Sequence, residues 1–167
     1  MKNFLVIMAL LVGANAFAQD GTASPEWNTN LVKAVDKAIA EKKPLLMFVT
    51  GSDWCGWCKR MDASTFIDPA VVKQMNEHFY AVKLDAEQKE DIIYDHYTFV
   101  YRTDVGRTGV LELAMALLDN RMFYPSFVFL ADNRHPNMYA PGYKDDAVRV
   151  NDILFSGSVH LHIQNLD

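Results

Sequence analysis

The chain contains two cysteines, Cys55 and Cys58, and the two residues between them give the pair a spacing suited to disulfide chemistry. An apolar run at 45–49 precedes the pair and is typical of a buried strand. Trp57 and Met61 follow on one helical face, so the pair lies at a strand-to-helix turn. At a helix N-terminus, unpaired backbone N–H groups and the positive end of the helix dipole favour a thiolate. A thiolate is the form that attacks a disulfide.

Two other uses of the cysteine pair have to be considered. A purely structural disulfide across two residues closes so short a loop that it contributes little to stability. A structural zinc ion needs four ligands, and the chain has no second pair of cysteines, so His160 and His162 would have to complete such a site. Both uses stay open, and redox exchange is the use that the position of the pair favours.

Residues 1–18 have the pattern of a cleaved secretory signal. Lys2 precedes an apolar run at 4–12 that is too short to span a bilayer, and Ala16 and Ala18 supply the small residues that a signal peptidase needs. The sequence therefore predicts a periplasmic or secreted protein whose mature chain is 19–167. Outside the cytosol, cysteines serve as disulfide staples or as exchange catalysts, and two cysteines are too few for a scaffold that depends on staples.

The composition is that of a globular domain with a mildly acidic surface. Half of the residues are hydrophobic, which is enough for a core, and the formal charge is -5. No block of Lys or Arg supports nucleic-acid binding. The predicted mature chain is long enough for one domain, and it contains no internal repeat. We therefore expect a single domain at 19–167.

Periodicity and capping residues predict the elements that position the cysteines. Ser24 and Pro25 suit the cap and first position of a helix, with apolar residues at four-residue spacing from Trp27 to Ile39. Further elements are expected as strands at 45–50 and 79–85 and as a helix at 68–77 that begins at Asp68 and Pro69. This alternation of helices and strands favours parallel pairing with crossover helices.

The second half of the chain begins with an irregular stretch, 86–123. Its Tyr94, Tyr97 and Tyr101 suit either a substrate groove or an aromatic satellite of the core, and spacing favours a helix at 108–118. Regular patterns return after this stretch. We expect a strand at 124–130 opened by a proline, an antiparallel return strand at 137–140, and a last helix capped by Asp145 or Asp146 that ends near Gly157.

Three groups of residues together resemble the thioredoxin superfamily. They are the motif Trp54-Cys55-Gly56-Trp57-Cys58-Lys59, the Lys43-Pro44 pair before the first strand, and Tyr124-Pro125-Ser126 at the start of a later strand. More narrowly, the chain is similar to exported thioredoxin-like proteins related to the periplasmic domains of thiol:disulfide interchange reductases. The resemblance spans 27–155. It implies an α/β, thioredoxin-like fold with a central mixed sheet flanked by helices, in which 86–123 is an enlarged segment before the cis-proline strand.

The resemblance also implies roles for individual residues. Cys55 matches the exposed attacking cysteine, and Cys58 matches the more buried resolving cysteine that closes a redox-active disulfide with it. Trp54 matches the tryptophan that flanks the first sulfur. Pro125 matches the family's cis-proline, which presents backbone to an extended substrate, so we expect the Tyr124-Pro125 bond to be cis.

The function implied is thiol:disulfide oxidoreductase activity on protein clients, without a metal or organic cofactor. Clients are expected to contact Trp54, Trp57, Tyr124 and Pro125, and electrons to come from a membrane reductase. Neither residue between the cysteines is basic, which favours a reducing protein. The alternative is a non-catalytic thioredoxin-like binding module for a metal or partner protein, with Cys55, Cys58 and one of His160 or His162 as metal ligands.

One departure from the family concerns proton transfer. Family members often carry a buried carboxylate in the strand before the motif, where it assists proton transfer to and from the resolving cysteine. The corresponding positions here, 47–49, are apolar, and Asp53 is expected to be exposed. The proton acceptor for Cys58 is therefore unassigned by the sequence.

Overall fold

The computed structural model describes residues 24–94, 96–130, 136–144, 150 and 152–154. The predicted signal sequence, the cap and end of the last helix, and His160 and His162 lie outside these described residues. Within them the helices are α1 (Leu31–Glu41), α2 (Gly56–Ala63), α3 (Pro69–His78) and α4 (Glu112–Leu117), with a short 3-10 helix at Thr65–Ile67. Residues 150 and 152–154, within the predicted last helix, are helical as well. The strands are β1 (Leu45–Thr50), β2 (Tyr80–Asp85), β3 (Ile92–Tyr94), β4 (Tyr97–Phe99), β5 (Tyr101–Arg102), β6 (Val110–Leu111), β7 (Ser126–Leu130) and β8 (Pro136–Pro141).

The central sheet has four strands in the order β2-β1-β7-β8. β1 pairs in parallel with β2 and antiparallel with β7, and β8 returns antiparallel to β7. The sheet is therefore mixed, as expected. The strands at 45–50 and 79–85 and the return strand are confirmed within a residue or two at each end.

Strand β1 is buried along its whole length, because both faces of the sheet are covered. Successive side chains of β1 point to opposite faces of the sheet and pack into two separate cores. Leu45, Met47 and Val49 face a core that includes α1 and α4. Leu46 and Phe48 face the second core, which also contains both cysteines. The second core thus supports the redox motif directly.

The first helix begins later than the sequence predicted. α1 starts at Leu31, and its cap is Asn30, whose side chain accepts a hydrogen bond from the backbone N–H of Lys33 at 3.0 Å. The preceding segment is extended, because the backbone N–H of Asn28 donates to Ala81 at 2.8 Å and makes a bridge to β2. The prediction of Ser24 and Pro25 as helix start is wrong, since pairing with the sheet is available to this segment.

That extended segment gives Trp27 a different role from the predicted one. Its ring lies 5.7 Å from the ring of Phe48 and 5.0 Å from that of Phe66, so it packs on the second core rather than on a helical face. Ile39, at the other end of the predicted stripe, is 49% exposed. By contrast, Asp68 caps α3 as predicted, accepting from the backbone N–H groups of Ala70 and Val71.

The enlarged segment 86–123 folds into two small antiparallel ribbons, β3–β4 and β5–β6, followed by α4. The helix begins at Glu112 rather than at 108, because Val110 and Leu111 pair with β5 instead. Tyr94 packs against the first core, as the satellite interpretation expected, whereas Tyr97 is 53% exposed. Within the described ranges, no helix has both the length and the hydropathy needed to cross a bilayer.

Candidate active site

The cysteine pair lies where β1 leads into α2, at the turn that the sequence predicted. Cys55 is the N-terminal cap of α2, and its sulfur accepts a hydrogen bond from the backbone N–H of Cys58 at 3.2 Å. The two residues are joined by a disulfide, with their Cα atoms 5.3 Å apart. Opening this bond would leave the Cys55 sulfur against a helix N-terminus, which stabilises a thiolate.

Gly51, four residues before Cys55, allows two aromatic rings to approach the motif. A Cβ at this position would lie 2.6 Å from the ring of Tyr124 and 2.7 Å from that of Trp54. Those two rings contact each other edge to face, with centroids 6.0 Å apart. The loop therefore requires glycine so that both rings can lie beside Cys55.

Both sulfur-bearing residues are equally buried in the disulfide form. Cys55 and Cys58 are each 3% exposed, so the expectation that Cys55 is the more exposed of the two is wrong for this state. The reason is that both belong to the second core. The two cysteines differ instead in the surface depression that each one lines.

Cys55 lines an open groove, which we call the aromatic groove. Its other lining residues are Trp54, Gly56, Trp57, Arg60 and Tyr124. The structure thus brings together four of the predicted site residues in one depression. Trp54 and Trp57 are 60% and 54% exposed, which is unusual for tryptophan and leaves apolar surface available to a partner.

Further aromatic contacts extend the groove beyond the predicted residues. The ring of Trp57 lies 4.8 Å from that of Tyr143, and the Arg60 guanidinium lies over both rings at 5.8 and 5.7 Å. Phe123, next to Tyr124, is 62% exposed. Sequence reasoning missed Arg60 and Tyr143, because helix α2 and the segment after β8 come together only in the fold.

Tyr124 and Pro125 precede β7, and the peptide bond between them is cis. Pro125 is buried, does not line the aromatic groove, and accepts a hydrogen bond through its carbonyl from the backbone N–H of Gly142 at 2.8 Å. Burial, together with the nearby carboxylates of Glu87 and Asp85, raises the pKa of Tyr124 to about 12. The Tyr124 side chain is therefore a neutral phenol at physiological pH.

Cys58 lines a second depression on the other side of the pair, which we call the polar groove. Its other lining residues are Thr29, Thr50, Ser52, Asp53, Lys59, Asp62, Lys83, Asp85 and Gln88. Lys83 Nζ lies 2.6 and 2.8 Å from the two carboxylate oxygens of Asp62. Positions 47–49 are buried and apolar, and Asp53 is exposed, as expected. The signal that sequence reasoning missed is Lys83 itself, a charged residue in the middle of strand β2, between Val82 and Leu84.

Within the described part of the chain, no three His, Cys, Asp or Glu side chains are grouped closely enough to hold a metal ion. The histidines of the alternative metal site lie outside that part. The alternative of a metal-binding module therefore stays a prediction.

A mixed central sheet, a Cys-x-x-Cys disulfide at a helix N-terminus and a cis-proline just before strand β7 together define a class of protein: the thioredoxin-like proteins, whose fold carries thiol:disulfide oxidoreductases. The particular family follows from a family model. Residues 14–157 match Thioredox_DsbH, described as a protein of unknown function, DUF255, and the chain belongs to this family.

Curated relatives match shorter stretches. The chain is 35% identical over 74 residues to human spermatogenesis-associated protein 20, a match that covers 44% of this chain and 9% of the human protein. It is 30% identical over 67 residues to disulfide bond reductase DsbH of Chlamydia pneumoniae, covering 40% of each chain. The matched region therefore spans less than half the length of either relative.

Solved structures show the fold. A DsbH oxidoreductase superposes with a TM-score of 0.55 at 18% identity and covers 92% of each chain. A thioredoxin from Thermus thermophilus superposes with a TM-score of 0.55 at 15% identity, covering 80% of this chain and 86% of the thioredoxin. The predicted thioredoxin-like fold is confirmed.

Proposed function

We propose that this protein is a thiol:disulfide oxidoreductase that reduces disulfides in protein clients through Cys55 and Cys58. The observation that carries the proposal is the disulfide at the N-terminus of α2, with Cys55 lining an open groove together with two exposed tryptophans. Two findings support the reducing direction. The residues between the cysteines, Gly56 and Trp57, are not basic, and the relative from Chlamydia pneumoniae is named a disulfide bond reductase.

The reaction starts from the dithiol form. The Cys55 thiolate attacks one sulfur of the client disulfide, and the other client sulfur leaves as a thiolate. The Cys58 thiolate then attacks the Cys55 sulfur and displaces the client's second sulfur. Two electrons pass to the client, and the Cys55–Cys58 disulfide seen in the structure is the oxidised product. No metal or organic cofactor takes part in these steps.

Client binding is assigned to the aromatic groove. Trp54 and Trp57 provide exposed apolar surface in the groove that Cys55 lines, and Tyr124 provides a third ring. Aromatic side chains of this kind contribute a large share of binding energy at protein interfaces. The backbone around Pro125 is the predicted contact for an extended client segment.

The group that accepts the proton of the Cys58 thiol is assigned to the polar groove. Asp62 follows Cys58 by four residues on α2, which places the two side chains on one helical face. Lys83 donates to both oxygens of the Asp62 carboxylate and so holds it in a fixed position on the groove. Asp62 therefore receives the proton through water in the groove and releases it to solvent, so that Cys58 can attack as a thiolate.

Export completes the proposal. Residues 1–18 act as a cleaved signal, the single domain at 19–167 works in the periplasm, and a membrane reductase returns the disulfide to the dithiol. Mass spectrometry of the protein from a periplasmic fraction tests the first two points. We expect a chain that begins at Gln19; an intact chain found in the cytosol would contradict export.

The activity is tested with the reduced protein and a protein that contains disulfides, such as insulin. We expect one client disulfide reduced per protein dithiol. Cys55→Ser should abolish the reaction, and Cys58→Ser should accumulate a mixed disulfide between Cys55 and the client. Reduction by Cys55→Ser at the rate of the unaltered protein, or no mixed disulfide with Cys58→Ser, would refute the proposal.

A further inference from the structure

The Glu87 side chain, at the start of the enlarged segment 86–123, connects the redox motif to a turn later in that segment. One carboxylate oxygen accepts a hydrogen bond from the Trp54 indole N–H at 2.9 Å, and the other accepts from the Thr108 hydroxyl at 2.6 Å. Hydrogen bonds to an ionised carboxylate are stronger than those between neutral groups. The carboxylate therefore holds a motif residue and a residue of the β5–β6 ribbon at the same time.

The backbone around Glu87 is itself fixed to the motif. An oxygen of Asp85 accepts from the backbone N–H of Glu87 at 2.9 Å and from that of Ser52 at 3.0 Å. The backbone N–H of Ala86 donates to Thr50 at 2.9 Å. The turn that carries Glu87 is thus joined to the loop that leads to the cysteines, so its side chain starts from a defined position.

Thr108 is also held in place. Its carbonyl accepts a hydrogen bond from the Tyr101 hydroxyl, and β5 pairs with β6 on the other side of the connection. Gly109 follows with φ +91°, a conformation that favours glycine and lets the Tyr101 ring approach the backbone. The turn between β5 and β6 therefore holds the Thr108 hydroxyl in a fixed position.

The effect of these contacts is to order the side chain of Trp54. Trp54 is 60% exposed beside Cys55, and its ring meets that of Tyr124 edge to face. Ordering an exposed side chain during binding costs affinity, and a side chain that is already ordered avoids this cost. The hydrogen bond to Glu87 fixes the one polar atom of the ring, and with it the orientation of the ring.

We propose that Glu87 is a positioning residue that, braced by Thr108, orients Trp54 for client docking. The enlarged segment then has a function: it extends the docking surface by ordering a tryptophan of the motif. This inference rests on the proposed function, because it concerns how clients reach Cys55.

The test compares two substrates. The rate constant for attack on a protein disulfide is measured alongside that for a small disulfide such as hydroxyethyl disulfide, which needs no docking surface. We expect Glu87→Ala to lower the protein rate about two- to tenfold, the factor that corresponds to ordering one side chain, and to leave the small-disulfide rate unchanged. Thr108→Val should give a smaller loss in the protein rate.

Two variants separate hydrogen bonding from charge. Glu87→Gln removes the charge but keeps an oxygen for the indole N–H, so it should restore most of the protein rate. Glu90→Ala removes an exposed carboxylate from the same turn and should behave as the unaltered protein. In a Trp54→Phe background, which lacks the indole N–H, Glu87→Ala should have no further effect.

The inference would be overturned if Glu87→Ala and Glu90→Ala reacted alike with the protein substrate, or if Glu87→Ala slowed both substrates equally. An additive loss in the Trp54→Phe background would also overturn it, because the effect would then not pass through the indole. Failure of the proposed function has a different signature: the unaltered protein would reduce neither substrate.

Discussion

Replacing Phe66 with leucine tests the packing that supports the redox motif. Phe66 is 1% exposed and shares the second core with both cysteines. Its ring meets those of Phe48 and Trp27 edge to face, with centroids 4.7 and 5.0 Å apart. Each such pair contributes about 0.5–1.5 kcal/mol beyond its buried area, and leucine keeps most of the apolar contact. Phe66→Leu should therefore lower the free energy of unfolding by about 1–3 kcal/mol.

Urea denaturation of the oxidised protein measures this change, provided that the m-value stays constant. Ile67→Ala is the matched control, because Ile67 lies in the same 3-10 helix but is 57% exposed. An exposed position of this kind should change stability by no more than about 0.5 kcal/mol. Equal losses in the two variants would refute the idea that the aromatic contacts of Phe66 are what stabilise this core.

Three further predictions concern proton transfer, helix capping and pH. Asp62→Asn should slow attack by Cys58 about tenfold or more, which acid-quenched samples would show as accumulation of the mixed disulfide. Glu77→Gln, which alters an exposed ion pair, should not slow this step. A faster step in Asp62→Asn would contradict the assigned role. Asp68→Ala removes the cap of α3 and should cost about 1 kcal/mol in urea denaturation; no measurable loss would refute the capping role. The pKa of Glu112 is lowered, chiefly by the hydrogen bond from the backbone N–H of Val100 and also by Arg102. The stability that the ionised Glu112 carboxylate contributes is therefore complete above the ordinary pKa of 4.5, and it is lost as the pH falls through the lower pKa of the folded protein. Hydrogen exchange in β5–β6 should therefore lose protection in acid, and Glu112→Gln should remove that dependence; protection that is unchanged by the substitution would contradict it.

The elements nearest the cysteines could be predicted because their signals are local. An unbroken apolar run marks β1, and Asp68 followed by proline marks the start of α3. The start of α1 could not be predicted in this way. Ser24 and Pro25 form a good cap signal, but the backbone of Asn28 pairs with β2, and this tertiary pairing overrides the local preference.

In the candidate site, too, local features could be predicted from the sequence and tertiary contacts could not. The position of the cysteine pair could be predicted from residue types and spacing, whereas Tyr124 was predicted from the resemblance of Tyr124-Pro125-Ser126 to the thioredoxin superfamily. The links Trp54–Glu87 and Asp62–Lys83 could not be predicted, since each joins side chains that are distant in the chain and meet only through the strand order of the sheet. The helix predicted at 108–118 was shortened for a similar reason: Val110 and Leu111 pair with β5.

The central claim is that Cys55 and Cys58 form a reversible redox couple that works as a reductant. Equilibration of the protein in dithiothreitol or glutathione buffers, followed by thiol trapping, measures its reduction potential. The account predicts a two-electron couple toward the thioredoxin value of about -270 mV, with a tenfold change in the equilibrium for every 29.6 mV or so. A value near about -120 mV would contradict the reducing direction. The absence of any reversible couple would contradict the exchange mechanism and favour the non-catalytic binding module.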